Sequence, residues 1–255
     1  MLTKQQLQSQ LAKTGIRRGD HIMVYSSYKS LGGVEGGVDT VIDAFLELVG
    51  PEGNALFPTF NFRSWTENHY FDINETPSDV GAISEVARLR KEAVRTPHPI
   101  YSFAAIGKHA EEYEQCDDIE AYGENSVFSL FHKMNGLIIS IGLEWNSTFS
   151  NHHYVEYRNG VHYRKVKGFS GIYVDKNNQA QIKTYTMYVR RTLKVKTYIV
   201  PAMSELYARK IIEAVDVGST KVHFCRASTF FDHMGEIIRT HPEKLHYIEG
   251  SPSKS

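Results

Sequence analysis

Three consecutive stretches decide the fold: His21-Ile-Met-Val-Tyr-Ser26, the turn Ser27-Tyr-Lys-Ser-Leu-Gly-Gly-Val-Glu-Gly-Gly37, and Val38-Asp-Thr-Val-Ile-Asp-Ala-Phe-Leu-Glu-Leu-Val49. The first is a short apolar run bounded by a turn, the pattern of a buried strand. In the third, Val38, Val41, Ile42, Phe45, Leu46 and Val49 recur at helical spacing and form one core-facing stripe. Pro51-Glu-Gly53 then stops the helix, and Ala55–Phe60 (ALFPTF) begins a second strand. Strand, helix and strand in this order predict a layered α/β protein.

The pattern extends outward from this unit. Leu137–Leu143 (LIISIGL) reads as a further buried strand, and Leu193–Val200, alternating apolar with polar residues, as a half-buried one. Helices are predicted at Lys4–Thr14, Ile83–Lys91, Ser126–Met134, Met203–Val215 and Thr229–Thr240, the last capped by Ser228. No repeat, linker or composition shift divides the chain. The expectation is one domain over residues 1–250, with helices on both sides of a sheet, and a flexible tail at 251–255.

Composition narrows the function classes. The 255 residues are 41% hydrophobic, enough for a sizeable core. Lys+Arg and Asp+Glu both total 29, and zero net charge excludes a globally basic nucleic-acid binder or an acidic disordered chain. Cys116 and Cys225 are too few for a disulfide framework or a cysteine zinc site. Cys116 lies in the acidic run Glu111–Glu120, where negative charge raises a thiol's pKa and makes it a poor nucleophile. The start MLTKQQLQSQLAKTG has no apolar leader core, and no apolar run reaches the roughly 20 residues that span a bilayer. A cytoplasmic protein without membrane or nucleic-acid partners is expected; homo-oligomerisation stays open.

A strand running through a Gly-rich turn into a helix N-terminus is a ready anion site, because free backbone N–H groups and the helix dipole both favour negative charge. The turn is neither a P-loop nor a dinucleotide fingerprint, since GxxxxGK[ST] and GxGxxG are absent. A plain structural turn is the competing reading.

Together with Phe57-Pro-Thr-Phe60, the run Val24–Gly37 resembles the aminoglycoside 3-N-acetyltransferase family. Further blocks follow in that family's order: Thr76-Pro-Ser-Asp-Val-Gly-Ala-Ile83, His98-Pro-Ile-Tyr-Ser-Phe-Ala-Ala105, Gly123-Glu-Asn-Ser126, Asn146-Ser-Thr148 and His153-Tyr-Val-Glu156. The resemblance covers residues 1 to 170 and continues more faintly to Phe230-Phe-Asp-His233. It implies a layered α/β/α domain with a central mixed sheet, distinct from the GCN5-type acetyltransferases, and an acyl-coenzyme A donor. It also implies that Ser30, Leu31, Gly32, Gly36 and Gly37 help hold coenzyme A, with Thr76, Ser78 and Ser102 along the pantetheine arm. Tyr101 stands where many members have a second histidine, so no base is expected there.

In Asn151-His-His-Tyr-Val-Glu-Tyr157, His153 and Glu156 are three apart and on a helix would share a face. Transfer from a thioester to an amine needs the amine neutral, and an imidazole is suited to take its proton. A carboxylate can orient that imidazole and stabilise its charged form. His153, matching the family's histidine, is the expected general base and Glu156 its partner. His152 is assigned to structure. Such a pair also arises by chance in helices. A zinc site from His152, His153 and Glu156 is disfavoured, since HExxH is absent and adjacent histidines converge poorly on one ion; no metal is expected.

Net neutrality conceals an asymmetry. Between Arg158 and Lys196 stand ten basic residues and one acidic residue, Asp175. Aminoglycosides are polycations that call for a carboxylate-lined site, whereas a basic segment suits an anionic acceptor. The main expectation is therefore acylation of a nucleotide-linked amino sugar, with acetyl or a short hydroxyacyl group. Glu124, Arg158, Tyr163, Arg164 and Lys167 are the expected acceptor contacts. An aminoglycoside acceptor and a non-catalytic binder of coenzyme A or a sugar nucleotide are the alternatives.

Overall fold

Side-chain alternation along β1 (His21–Ser26) sets the layering. Ile22 and Val24 belong to one hydrophobic cluster and Met23 and Tyr25 to the other, and all four are buried. A strand apolar on both faces must be covered on both sides, and it is. The computed structural model describes residues 1–144 and 150–250. The Asn146–Thr148 block and the expected tail at 251–255 lie outside the described residues.

In chain order the described elements begin with α1 (Lys4–Leu11), β1, α2 (Gly37–Val49), β2 (Asn54–Pro58), α3 (Phe62–Thr66) and β3 (Tyr70–Asp72). Next come α4 (Ala82–Arg88), β4 (Val94–Arg95), β5 (Phe103–Gly107), α5 (Ala110–Glu114), α6 (Val127–Lys133) and β6 (Leu137–Ile141). The last part holds α7 (Asn151–Arg158), β7 (Arg164–Val174), β8 (Ala180–Arg190), β9 (Val195–Thr197) and α8 (Val200–Ala208). It closes with β10 (Glu213–Val217), β11 (Thr220–Arg226), α9 (Ala227–Thr240) and β12 (His246–Ile248).

The central sheet has seven strands in the order β10-β11-β6-β1-β2-β5-β4. β1 runs parallel to both β2 and β6, while β5, β4, β11 and β10 pair antiparallel, so the sheet is mixed as expected. Leu7 and Leu11 of α1, the buried stripe of α2, and Ile83 and Ala87 of α4 cover the Ile22/Val24 face. Trp65, Tyr113, Phe128, Phe131, Tyr154, Met203 and Phe230 build the thicker layer on the other face. Two small sheets, β3-β7-β8 and β12-β9, lie outside the central one.

Three sequence expectations are corrected. The helix expected over Met203–Val215 stops at Ala208, because Lys210 adopts φ +57°, and Glu213–Val217 pairs instead with β11. Only Val195–Thr197 of the expected strand Leu193–Val200 is extended; Val200 opens α8, with Pro201 in its first turn, where a missing N–H costs nothing. The last helix starts at Ala227, directly off β11, and Ser228 does not cap it: its N–H donates to Asn135 Oδ1.

Candidate active site

α7 packs against α9, and its first residue faces the end of β1. The Asn151 amide donates to the Tyr25 hydroxyl at 3.2 Å, which ties the helix start to the central sheet. One turn on, His153 Nδ1 lies 2.6 Å from Glu156 Oε2, confirming the helical i, i+3 geometry. Glu156 has no exposed surface, while 23% of the His153 side chain remains accessible. With Nδ1 committed to the carboxylate, Nε2 is the nitrogen left for a reacting proton.

Glu156 is held by more than the histidine. Tyr163 donates its hydroxyl to Oε1 at 2.7 Å, and Arg164 Nε lies 2.7 Å from Oε2 as an ion pair. Burial pushes the Glu156 carboxyl up, but His153, His152 and Arg164 outweigh it and hold the group well below its ordinary value. Burial lowers the His153 pKa; Glu156 pulls it back up and Arg164 pushes it down again. The result is an ionised carboxylate orienting a mainly neutral imidazole, the state a proton acceptor needs.

One depression opens on His153 and another lies at the residue before α7. A cleft of about 580 Å³ is lined by Glu144, His152, His153, Thr197, Tyr198, Ile199 and Val200. A second groove, about 360 Å³, has Tyr25, Pro58, Phe60, Phe62, Val80 and Leu143 as apolar walls, with Ser26, Ser84 and Ser150 adding hydroxyls. A narrow apolar groove with a few polar groups suits a flexible pantetheine-like arm. Tyr25, Phe60 and Phe62 were not picked out as site residues, although Tyr25 and Phe60 lie within the quoted motif blocks. Thr197 and Glu144 carry no signal in the sequence short of the fold, whereas Tyr198 stands at the end of the basic stretch as a ring able to stack on a base.

The other expected donor contacts separate. Gly36 (φ +78°) and Gly37 (φ +76°) form the start of α2, which has no side-chain cap, and a side chain at Gly37 would meet open space. Gly32 has another reason for being glycine: a Cβ there would lie 2.2 Å from Ser219 Oγ. Leu31 is buried, and Ser30 turns its hydroxyl to Ser27 O. Ser102 is fully buried, donating to Thr59 O and receiving from Arg95 Nε, while Thr76 Oγ1 accepts from Asp72 N. The Ser102 hydroxyl braces the chain from inside, whereas Thr76 also lines a surface depression with Asn61, Asp72 and Pro77. Ser78 Oγ accepts from Val80 N just before α4.

The expected acceptor contacts are redistributed too. Tyr163 and Arg164 are buried against Glu156, so they are corrected from acceptor contacts to supports of the carboxylate. Glu124 and Arg158 pair with each other on the outside, and Lys167 places its ammonium over the Phe169 ring. Tyr101 packs among Phe60, Phe62, Tyr122 and Phe128. Burial more than charge pushes the Cys116 thiol up, to about 11.

The basic stretch loses its force once its partners are known. Arg158 pairs with Glu124, Arg164 with Glu156, Lys176 with Glu114, Lys183 with Asp117 and Lys196 with Glu249. Arg190 turns back to Val195 O. Acidic partners thus pair with half of the ten cations, four of them from far along the chain, and none of the ten lines the cleft at His153.

Among the described residues, His152, His153 and Glu156 bring donor atoms within 4.8 Å of one another. The adjacent histidines do converge, contrary to the expectation. Oε2 nevertheless already faces His153 Nδ1 and the Arg164 guanidinium, so a cation placed there would meet an existing positive charge. No helix among the described residues is long and apolar enough to cross a membrane.

Comparison with known proteins adds the family. A family model described as aminoglycoside 3-N-acetyltransferase matches residues 23–239. The chain is 29% identical over 186 residues to the SPbeta prophage-derived aminoglycoside N(3')-acetyltransferase-like protein YokD of Bacillus subtilis, covering 64% of this chain and 67% of that protein. It is 29% identical over 175 residues to an aminoglycoside N(3)-acetyltransferase III of Salmonella sp, covering 60% of each. Among solved structures, YokD superposes with a TM-score of 0.81 at 23% identity over 95% of each chain. A structure described as AAC-IIIb binary with CoASH gives 0.82 at 18% over 98% of each. At such identities the structural likeness establishes the fold.

Proposed function

The chain belongs to the aminoglycoside 3-N-acetyltransferase family, and on that footing we propose that it transfers an acetyl group from acetyl-coenzyme A to an amine of an aminoglycoside-type sugar. The observation that carries the reading is the buried Glu156 carboxylate, 2.6 Å from Nδ1 of a His153 that opens onto a cleft. In the proposed step Nε2 takes a proton from the acceptor ammonium. The freed amine attacks the thioester carbonyl, a C–N bond forms and the C–S bond breaks; the nitrogen's surplus proton passes to the departing coenzyme A thiolate, and His153 returns the first proton to solvent. The fit for the donor rests on the apolar groove at Phe60 and Phe62 and on the open backbone of Gly37. Held there, acetyl-coenzyme A supplies the activated acyl group.

The acceptor assignment departs from the nucleotide-linked sugar expected from the charge pattern. That expectation needed cations beside the base, and the cleft is lined instead by Glu144, Tyr198, the two histidines, Thr197, Ile199 and Val200. A carboxylate and an aromatic ring suit an ammonium-bearing sugar. The relatives' names point the same way. Thiol release from acetyl-coenzyme A, measured with gentamicin-type aminoglycosides and with dTDP- and UDP-linked amino sugars, tests the reading. Release with the aminoglycosides alone is expected; release with the nucleotide sugars alone would overturn the assignment.

A further inference from the structure

Among the described residues, Arg164 brings a charged group from outside α7 into buried contact with Glu156. It opens β7, is itself buried, and lies in the wall behind the cleft. Its Nε sits 2.7 Å from Oε2, the same oxygen that faces His153 Nδ1. The guanidinium is pinned at two further points: Nη1 donates to Tyr188 O at 3.1 Å and Nη2 to Thr197 Oγ1 at 3.0 Å. A guanidinium is planar and always charged, so two hydrogen-bonded Nη atoms hold its plane while Nε stays in ion-pair contact with Oε2.

We propose that Arg164 is a positioning residue that sets the protonation of the base: it neutralises Glu156 just enough that the carboxylate orients His153 without holding a proton on it. The inference rests on the acetyltransferase reading for its purpose, though not for its test. A buried carboxylate touching a histidine favours the imidazolium, which cannot accept a proton. A buried cation on the same oxygen opposes that pull. Burial lowers the His153 pKa most; Glu156 raises it and Arg164 lowers it further, in keeping with this geometry.

The groups facing the imidazole from the surrounding elements are few. His152 and Glu156 come from α7, with Tyr122 at 6.5 Å between ring centroids. Tyr163 reaches Glu156 from the chain before β7, and His246 of β12 stacks on Tyr163 at 3.7 Å. Glu144 lines the same cleft. Of these, Arg164 alone is a permanent cation.

The test is an NMR titration of the His153 ring, assigned by the resonance lost in His153→Asn. In Arg164→Gln the His153 pKa should rise by about 1 unit. Thr197→Val, at an exposed position, removes one anchor and should give a smaller rise in the same direction, so the idea stays testable if the first variant does not fold. A His153 pKa unchanged in both folded variants overturns the proposal. The titration needs no substrate: a shift without thiol release from any acceptor leaves this inference standing and sinks the acetyltransferase reading. Where turnover is present, the acidic limb of kcat should move up with the NMR value, with KM for acetyl-coenzyme A unchanged.

Discussion

At the scale of single residues, the proposed division of labour in proton transfer falls on the pair His153–Glu156. Removing the base while keeping its shape is the direct test: His153→Asn should lower kcat by roughly 10²–10⁴-fold, with coenzyme A affinity by calorimetry nearly unchanged. The pH profile follows from the sign of the shift. Burial and Arg164 depress the imidazole below its ordinary 6.5 against the pull of Glu156, so the neutral base persists to lower pH. The acidic limb of kcat should therefore fall below pH 6.5, measured by thiol release in overlapping buffers. Glu156 gives a stability prediction of its own. A carboxyl depressed on folding adds stability above its ordinary 4.5 that is lost as pH falls towards about 2. Acid unfolding followed by circular dichroism should be steeper between those values in the native chain than in Glu156→Gln.

At the scale of elements, the buried stripe of α2 and the His153–Glu156 pair sit on opposite faces of the central sheet. α2 presents Val41, Ile42, Ala44, Phe45 and Val49 to the face away from His153. Phe45 is completely buried, and Phe45→Ala should cost about 3–5 kcal/mol in urea unfolding, with the kcat of the surviving folded protein little changed. An equal loss of kcat and stability would contradict that separation. α2 was legible because its stripe keeps helical period over three turns. α7 was legible only through its motif: Asn151–Arg158 is short and weakly patterned. Propensity alone does not mark a helix whose buried residues include Asn151, His152 and Glu156. The β7–β8 hairpin was read as charge, not as strands, because much of it faces solvent and its lysines mask the alternation. Its turn, Asp175-Lys-Asn-Asn178 with Asn178 at φ +60°, was a signal present in the sequence and not used.

At the scale of the whole molecule, the site depends on chain far from it in sequence. His246 in β12 stacks on Tyr163, whose hydroxyl holds Glu156 Oε1; β12 in turn pairs with β9, which places Thr197 beside Arg164. A stacked aromatic pair contributes about 0.5–1.5 kcal/mol. His246→Ala should lower kcat several-fold, leave KM for acetyl-coenzyme A unchanged, and shift the melting temperature only slightly; an unchanged kcat would uncouple the C-terminal strand from the base.

The sequence by itself determined the alternation of strands and helices, the Gly-rich turn before α2 and the helical spacing of His153 and Glu156. Those are local properties, set by period, backbone freedom and residue type within one or two turns. Tertiary structure decided what each charge meets. The basic stretch from Arg158 to Lys196 promised an anionic partner until folding set Glu114, Asp117, Glu124, Glu156 and Glu249 against it. Likewise Tyr163 and Arg164, polar and near the base in sequence, turned inward to grip its carboxylate. A charge's role depends on distance and burial, and both are fixed only when remote segments pack together.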